Sequence, residues 1–119
     1  MADRLCYRAR RTPLMSYLLV LTTVGNEEDA ARLARSLVEK RLAACVNVLG
    51  PVRSFFVWKG KLEDDSERLL LMKTRSDRYP ELEAALRELH PYQVPEVIAI
   101  PVERGWQAYL SWIDENVGV

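Results

Sequence analysis

The stretch His90-Pro91-Tyr92-Gln93-Val94-Pro95-Glu96 closes a helical pattern and opens a strand pattern within seven residues. Each proline fixes its own φ at about −65° and pushes the residue before it towards an extended conformation, so the connection is stiff. The stretch also contains the chain's only histidine, beside a phenol, an amide and a carboxylate. Two interpretations stay open: a rigid connector whose polar groups cap backbone ends, or the start of a small-ligand site.

Apolar residues flank this stretch with two different periods. Before it, a stripe at helical spacing predicts a helix that is capped by Ser76 or Asp77 and ends at His90. After it, the continuous apolar run within residues 94–102 predicts a strand. Gly105 then separates this strand from a short final helix. The first stripe consists of Tyr79, Leu82, Ala85, Leu86 and Leu89, and the final helix carries Trp106, Tyr109, Leu110 and Ile113.

The first half of the chain predicts a strand, a helix and a second strand. Residues 16–24 form a β-branched and leucine-rich run that is typical of a central strand. Asn26 is a suitable N-cap for the helix that follows, and three acidic residues behind it complement the helix dipole. Residues 42–49 predict the second strand, in which Cys45 is expected to be a small buried hydrophobe rather than a nucleophile.

A long hairpin is predicted over residues 52–74. Gly50-Pro51 marks a break or bulge at its start, and Lys59-Gly60-Lys61 turns the chain into the third strand. The aromatic end, Phe55-Phe56-Val57-Trp58, places large apolar groups on both faces of the hairpin. Such a patch approaches or exceeds what a monomer usually leaves exposed, so we expect another chain to cover one face.

The order of these elements is β-α-β-β-α-β-α. Right-handed crossovers convert this order into an antiparallel four-stranded sheet with two helices on one face. The predicted fold class is therefore α+β, a ferredoxin-like plait with a long hairpin between its second and third strands and an extra C-terminal helix.

Composition places the chain among ordinary globular proteins. Its 119 residues suit one domain, with 49% hydrophobic and 29% charged residues. Seventeen basic residues balance seventeen acidic ones, which argues against nucleic-acid and membrane partners. Two cysteines support neither a disulfide framework nor a thiolate metal cluster, and a reducing cytoplasm fits them best.

Residues 1–15 are predicted to be a basic, disordered extension ahead of a domain over residues 16–119. This segment carries four arginines against one aspartate, and the apolar run after it imitates a secretory signal. We do not expect a signal peptide, because no small-x-small cleavage pattern follows. Met15 is an alternative start of translation.

Motifs for catalysis are missing from the sequence. Neither phosphate-binding glycine loop occurs, and no Ser-His-Asp or Cys-His arrangement is recognisable, so an enzyme is not expected and no catalytic residue is assigned. The run Glu63-Asp64-Asp65 has no glycine-bearing ligand loop around it. It is interpreted as a solvated hairpin edge rather than a hard-cation site.

Several segments resemble the CutA divalent-cation-tolerance family, over Leu18 to about Asn116. They include residues 30–33, 40–47, 58–61, Glu67 with residues 73–74, residues 90–96, and Tyr109-Leu110 with Trp112. The resemblance implies a ferredoxin-like subunit in a homotrimer related in architecture to the PII signal transducers, with the hairpin reaching a neighbouring chain. The copper site attributed to the family has a cysteine and two adjacent histidines where this chain has Thr22, Leu89 and His90.

Two functions of different class are consistent with these features. The first is a non-enzymatic trimer in divalent-cation tolerance that binds copper or another divalent metal weakly, or a small ligand, at clefts between subunits. Its candidate metal ligand is His90, and its candidate ligand-binding residues are Tyr92 and Glu96 together with Trp58 and Lys61, the last two supplied by the hairpin of the neighbouring subunit. The second is a scaffold trimer that anchors or assembles a partner protein without a small ligand. His90 also has a purely structural interpretation, in which it bonds the last carbonyls of its helix.

Overall fold

A computed structural model describes residues 16–118, so the predicted extension over residues 1–15 lies outside the described residues. The elements are β1 (Tyr17–Val24), α1 (Glu27–Glu39), β2 (Cys45–Trp58), β3 (Lys61–Arg75), α2 (Tyr79–Leu89), β4 (Ile98–Val102) and α3 (Gln107–Asn116). The strands form one antiparallel sheet in the order β2-β3-β1-β4. This confirms the predicted ferredoxin-like plait. Within the described residues, no helix is long and apolar enough to cross a membrane.

Local signals explain where most elements begin and end. Asn26 caps α1, since its Oδ1 atom accepts a 2.8 Å hydrogen bond from the backbone N–H of Asp29. Arg41 ends this helix in the left-handed region, at φ 59°. The backbone N–H groups of the next two residues then bond the carbonyl of Leu37, so β2 begins at Cys45 and not at the predicted Leu42.

Two further boundaries differ from the predictions. A 3₁₀ turn over Ser76–Arg78 precedes α2, and the N-cap residue Arg78 makes no side-chain capping bond, so the predicted cap by Ser76 or Asp77 is wrong. The last strand begins at Ile98 instead of Val94. Pro95 has no N–H for a strand ladder, and the chain here leaves the sheet edge to line a cavity.

One face of the sheet packs against α1 and α2. Alternate residues of the two central strands point there, and Val20, Leu70 and Met72 are fully buried. Leu33 and Leu37 of α1 and Leu82 and Leu86 of α2 close this core. Burying each such side chain stabilises the fold by roughly 1.5–3 kcal/mol.

The opposite face of the sheet is covered only at one end. There α3 packs through Ile113, and the hydroxyl of Tyr17 donates a 2.9 Å hydrogen bond to Asp114. Further along the same face, Ile98 and Ile100 remain 52% and 48% exposed, although register pairs them with leucines of β1. The open face of the sheet is thus apolar and half-exposed.

The hairpin of β2 and β3 extends beyond the helices. A register shift between Leu49 and Val52 confirms the predicted bulge at Gly50-Pro51. Lys59 and Gly60 both have positive φ, 52° and 77°, which is the backbone that a two-residue hairpin turn requires. The protruding hairpin gives the chain a longest dimension of 53 Å.

Candidate functional site

A cavity of about 700 Å³ lies between one face of the hairpin and the connection from α2 to β4. Its lining consists of Thr23, Ser54, Phe55, Phe56, Trp58, Glu63, Asp65, Glu67, Tyr92, Gln93, Val94 and Glu96. The cavity therefore combines the end of β1, the aromatic arm of the hairpin and the stiff proline-containing connection.

Strand alternation builds the hairpin wall of this cavity. Register pairs Ser54 with Asp65 and Phe56 with Glu63, and paired residues of antiparallel strands share a face. Glu67 follows two residues after Asp65 and joins the same face. Asp64 points to the other face, where both of its carboxylate oxygens bond the guanidinium of Arg53 at 2.9 and 2.8 Å.

Glu67 and Tyr92 join the two walls of the cavity. The phenol of Tyr92 donates a 2.6 Å hydrogen bond to Oε2 of Glu67. Glu67 is only 4% exposed, and within residues 16–118 this phenol is its only side-chain hydrogen-bond partner and no ion pair reaches it. Burial and the adjacent carboxylate raise the pKa of the Tyr92 phenol far above its ordinary value, so the proton stays on tyrosine.

His90 lies behind Tyr92 and is 6% exposed. Its Nδ1 atom accepts a 3.1 Å hydrogen bond from the backbone N–H of Tyr92, so Nε2 carries the proton and donates to the Thr23 carbonyl at 2.8 Å. Burial lowers the pKa of the imidazole below 6.5, although the carboxylates of Asp29 and Glu67 oppose this shift. The neutral ring thus ties the end of β1 to the connection.

The charge of the cavity is one-sided. Four carboxylates line it, those of Glu63, Asp65, Glu67 and Glu96, and among residues 16–118 no lysine, arginine or histidine does. Within the described residues, however, no three His, Cys, Asp or Glu side chains are grouped so that they could hold a metal ion. The cavity attracts cations but is not a preformed chelating site in a single chain.

The structure brings three of the five predicted site residues together. Tyr92, Glu96 and Trp58 line the cavity, and Trp58 does so from the same chain, whereas it was predicted to come from a neighbouring subunit. Lys61 pairs with Trp58 beside the turn, outside the lining. His90 is also outside it, with both ring nitrogens bonded to backbone atoms, and its ring bonds the end of β1 rather than the last carbonyls of its own helix.

The prediction of a solvated edge at Glu63-Asp64-Asp65 agrees with the exposure of this run, since Asp64 and Asp65 are exposed and Glu63 is only half-buried. The sequence did not predict that Glu63 and Asp65 line the cavity, whereas Asp64 faces away. The signal that could have found them is the period-two spacing of Glu63, Asp65 and Glu67 within a predicted strand.

Two other positions that were singled out in the sequence, Cys45 and Thr22, lie outside the lining of the cavity. Cys45 is half-buried rather than buried, with its sulfur 3.9 Å from Oδ1 of Asn47. Thr22, which stands where the family's copper-binding cysteine was expected, is fully buried, and its hydroxyl oxygen has no hydrogen-bond partner among residues 16–118.

Comparison with known proteins gives consistent matches. The family model described as "CutA1 divalent ion tolerance protein" matches residues 18–116. The "Divalent-cation tolerance protein CutA" of Thermus thermophilus is 46% identical over 100 residues, which cover 84% of this chain and 97% of that protein. "Protein CutA" of Homo sapiens is 52% identical over 91 residues, which cover 76% of this chain and 51% of the human protein. The chain thus spans about half the length of its human relative.

A solved structure confirms the fold. The Thermus thermophilus structure named "Divalent cation tolerance protein (Cut A1)" superposes with a TM-score of 0.83 at 45% identity, over 86% of this chain and 99% of that chain.

Proposed function

Because this chain belongs to the CutA1 divalent ion tolerance family, we propose that it is a non-enzymatic homotrimer that binds a cation in the cavity of each subunit. The observation that carries this proposal is Glu67, a buried carboxylate at the cavity wall with no cationic partner among the described residues. A buried charge is costly unless a partner compensates it, and the Tyr92 hydrogen bond compensates only in part. A bound cation would complete the compensation.

The donor atoms of the cavity favour hard cations over soft ones. Carboxylate and phenol oxygens suit Mn²⁺, Mg²⁺ and Ca²⁺, whereas copper and zinc prefer imidazole and thiolate ligands. Coordination of copper by His90 remains a prediction, and it requires the ring to release the Thr23 carbonyl or the Tyr92 N–H. Copper binding at His90 is therefore expected to be weak.

The homotrimer is supported by the exposed apolar surface of the single chain. On the open face of the sheet, Ile98 and Ile100 are about half-exposed. On the hairpin, Phe55 is 60% and Val57 is 67% exposed. Apolar surface of this kind marks protein interfaces, and the number of subunits follows from the family resemblance. In such an assembly the cavity would lie beside a neighbouring chain, which could add ligands.

A cytoplasmic location is part of the same proposal. The two cysteines of the sequence, which support no disulfide framework, are consistent with a reducing compartment.

Native mass spectrometry of the purified protein, followed by calorimetric titration with Mn²⁺, Ca²⁺, Cu²⁺ and Zn²⁺, tests the proposal. We expect a trimer, and saturable binding of at least one of the ions that weakens in Glu67→Gln. Asp64→Asn is the matched control, since it removes a carboxylate of the same strand that faces away from the cavity. Equal binding by wild type and Glu67→Gln, or a monomeric chain, would contradict the proposal.

A further inference from the structure

We propose that the cavity binds an aliphatic polyamine, a flexible molecule with ammonium groups joined by short methylene chains. This inference rests on the proposed function, because it names the class of cation that the acidic cavity takes. The volume of about 700 Å³ lies well within the size range of small-molecule sites, roughly 300–1,000 Å³, and far exceeds what a bare metal ion occupies. The first argument is therefore one of size.

The spacing of the carboxylates provides the second argument. Glu63, Asp65 and Glu67 occupy alternate positions of one strand, so neighbouring members of the row are about 7 Å apart. Two ammonium groups separated by four methylene groups lie about 6 Å apart in an extended chain, by standard bond lengths. A row of carboxylates at this spacing matches successive ammonium groups, whereas it does not converge on one metal ion.

Glu67 gives the third and independent argument. It is the most deeply buried of the lining carboxylates, 4% exposed, and Tyr92 donates to only one of its oxygens. A protonated amine offers several N–H donors to such a group and neutralises its charge. A quaternary ammonium ion has no N–H donor, so it would leave the carboxylate without a hydrogen bond from the ligand.

The aromatic rings of the cavity suit the remaining parts of a polyamine. Phe56, Trp58 and Tyr92 stand in the same lining as the carboxylates. Aromatic faces attract ammonium groups through cation–π interactions and pack against methylene chains. The ammonium of Lys59 already lies 5.9 Å from the centroid of the Trp58 ring, which shows that this ring accepts such a group. A hydrated metal ion would gain little from these rings. The combination of carboxylates and aromatic rings therefore favours a polyamine over a metal ion, which the acidity alone does not.

Calorimetric titration of spermidine into the purified, assembled protein tests this inference, with hexane-1,6-diol as an uncharged ligand of similar apolar character. We expect spermidine to bind and the diol not to bind. Glu67→Gln should weaken spermidine binding by about tenfold or more, since it removes a charge-assisted hydrogen bond at a buried carboxylate, and Asp65→Asn should weaken it by about two- to fivefold, because Asp65 is exposed. Asp64→Asn should leave the affinity unchanged, because its carboxylate faces Arg53.

The outcomes separate this inference from the proposed function. If metal ions bind in a manner that depends on Glu67 and spermidine does not bind, the polyamine inference fails and the cation cavity stands. If neither metal ions nor spermidine bind, both fail. Spermidine binding that is equal in Glu67→Gln, Asp65→Asn and wild type would place the ligand elsewhere and overturn the inference. Asp65 is exposed, so Asp65→Asn remains informative if Glu67→Gln unfolds.

Discussion

The two faces of the β-sheet are built from the same strands but differ in how far their side chains are buried. Towards α1 and α2, Leu70 and Met72 of β3 are fully buried within the chain's own core. Towards the other side, Leu71 is only half-buried, and the same face continues along the hairpin to the carboxylates and rings of the cavity. One face is covered by the helices of the subunit itself, and the other leaves apolar and charged groups partly exposed among the described residues.

This difference links the buried face to the stability of the fold and the open face to function. The buried face contains few polar groups and needs only complementary shape, as hydrophobic cores do. The open face holds a buried charge, exposed aromatic rings and a stiff connection, features that cost free energy in an isolated chain. We infer that the open face serves binding and assembly. The following experiments test whether the two faces differ in this way.

The largest effect is expected from adjacent leucines of β3. Leu70→Ala removes a fully buried side chain and should lower the free energy of unfolding by about 2–5 kcal/mol, without changing the number of subunits in the folded protein. Leu71→Asp places a charge on the open face and should dissociate the assembly instead. Chemical denaturation and native mass spectrometry at matched protein concentrations measure the two effects.

Each leucine variant is the control for the other, because the two residues are adjacent in β3 and face opposite sides of the sheet. If Leu71→Asp stays assembled at micromolar concentration, the open face is not the subunit interface.

A smaller loss of unfolding free energy is expected from the contact between Tyr92, in the connection from α2 to β4, and Glu67 on the open face. Tyr92→Phe leaves Glu67 without its side-chain donor, and a buried acceptor without a partner costs about 1–3 kcal/mol. Tyr79→Phe is the matched control, since Tyr79 donates a 3.0 Å hydrogen bond to Glu83, a helical residue that is not fully buried. Urea denaturation should show a clearly larger loss for Tyr92→Phe. Equal losses would mean that the Glu67 contact is no more desolvated than an ordinary helix-surface pair.

The fold was predictable because its signals are local. Periods of two and of 3.6 residues, the cap at Asn26 and the turn at Lys59-Gly60 each act within a few residues, and they agree with one another. The start of β2 was missed for two reasons. Leu42 and Ala43 bond the carbonyl of Leu37 at the end of α1, and Ala44 bonds the carbonyl of Lys73, which is 29 residues away in the sequence.

The site was predictable only in part, for a related reason. Tyr92, Glu96 and Trp58, which line the cavity, were candidates because they lie in short, distinctive motifs. Glu67 was missed because its hydrogen-bond partner Tyr92 is 25 residues away in the sequence. The second bond of the His90 ring likewise comes from Thr23, 67 residues before it. Partners at such separations cannot be read from periodicity.

The smallest effect concerns His90, whose ring ties the end of β1 to the connection from α2 to β4. Its pKa is lowered below 6.5 by burial, so the unfolded chain takes up a proton at higher pH than the folded chain does. The stabilising contribution of the neutral ring is therefore complete above about pH 6.5, the ordinary histidine value. It decreases as the pH falls from there through the folded-state pKa, by about 1.4 kcal/mol for each pH unit that separates the two values.

His90 is the only histidine of the chain, so its imidazole signals in an NMR titration belong to one group and give the folded-state pKa directly. Protonation would place a donor on Nδ1 against the N–H of Tyr92, which explains why the neutral ring is preferred. The unfolding free energy of wild type should fall more steeply than that of His90→Gln between pH 6.5 and the measured pKa, while carboxylate titration contributes equally to both. A measured pKa at or above 6.5, with a wild-type curve that falls no more steeply than the His90→Gln curve, would show that burial does not disfavour the charged ring and would contradict the assignment of His90 as a fixed, neutral residue.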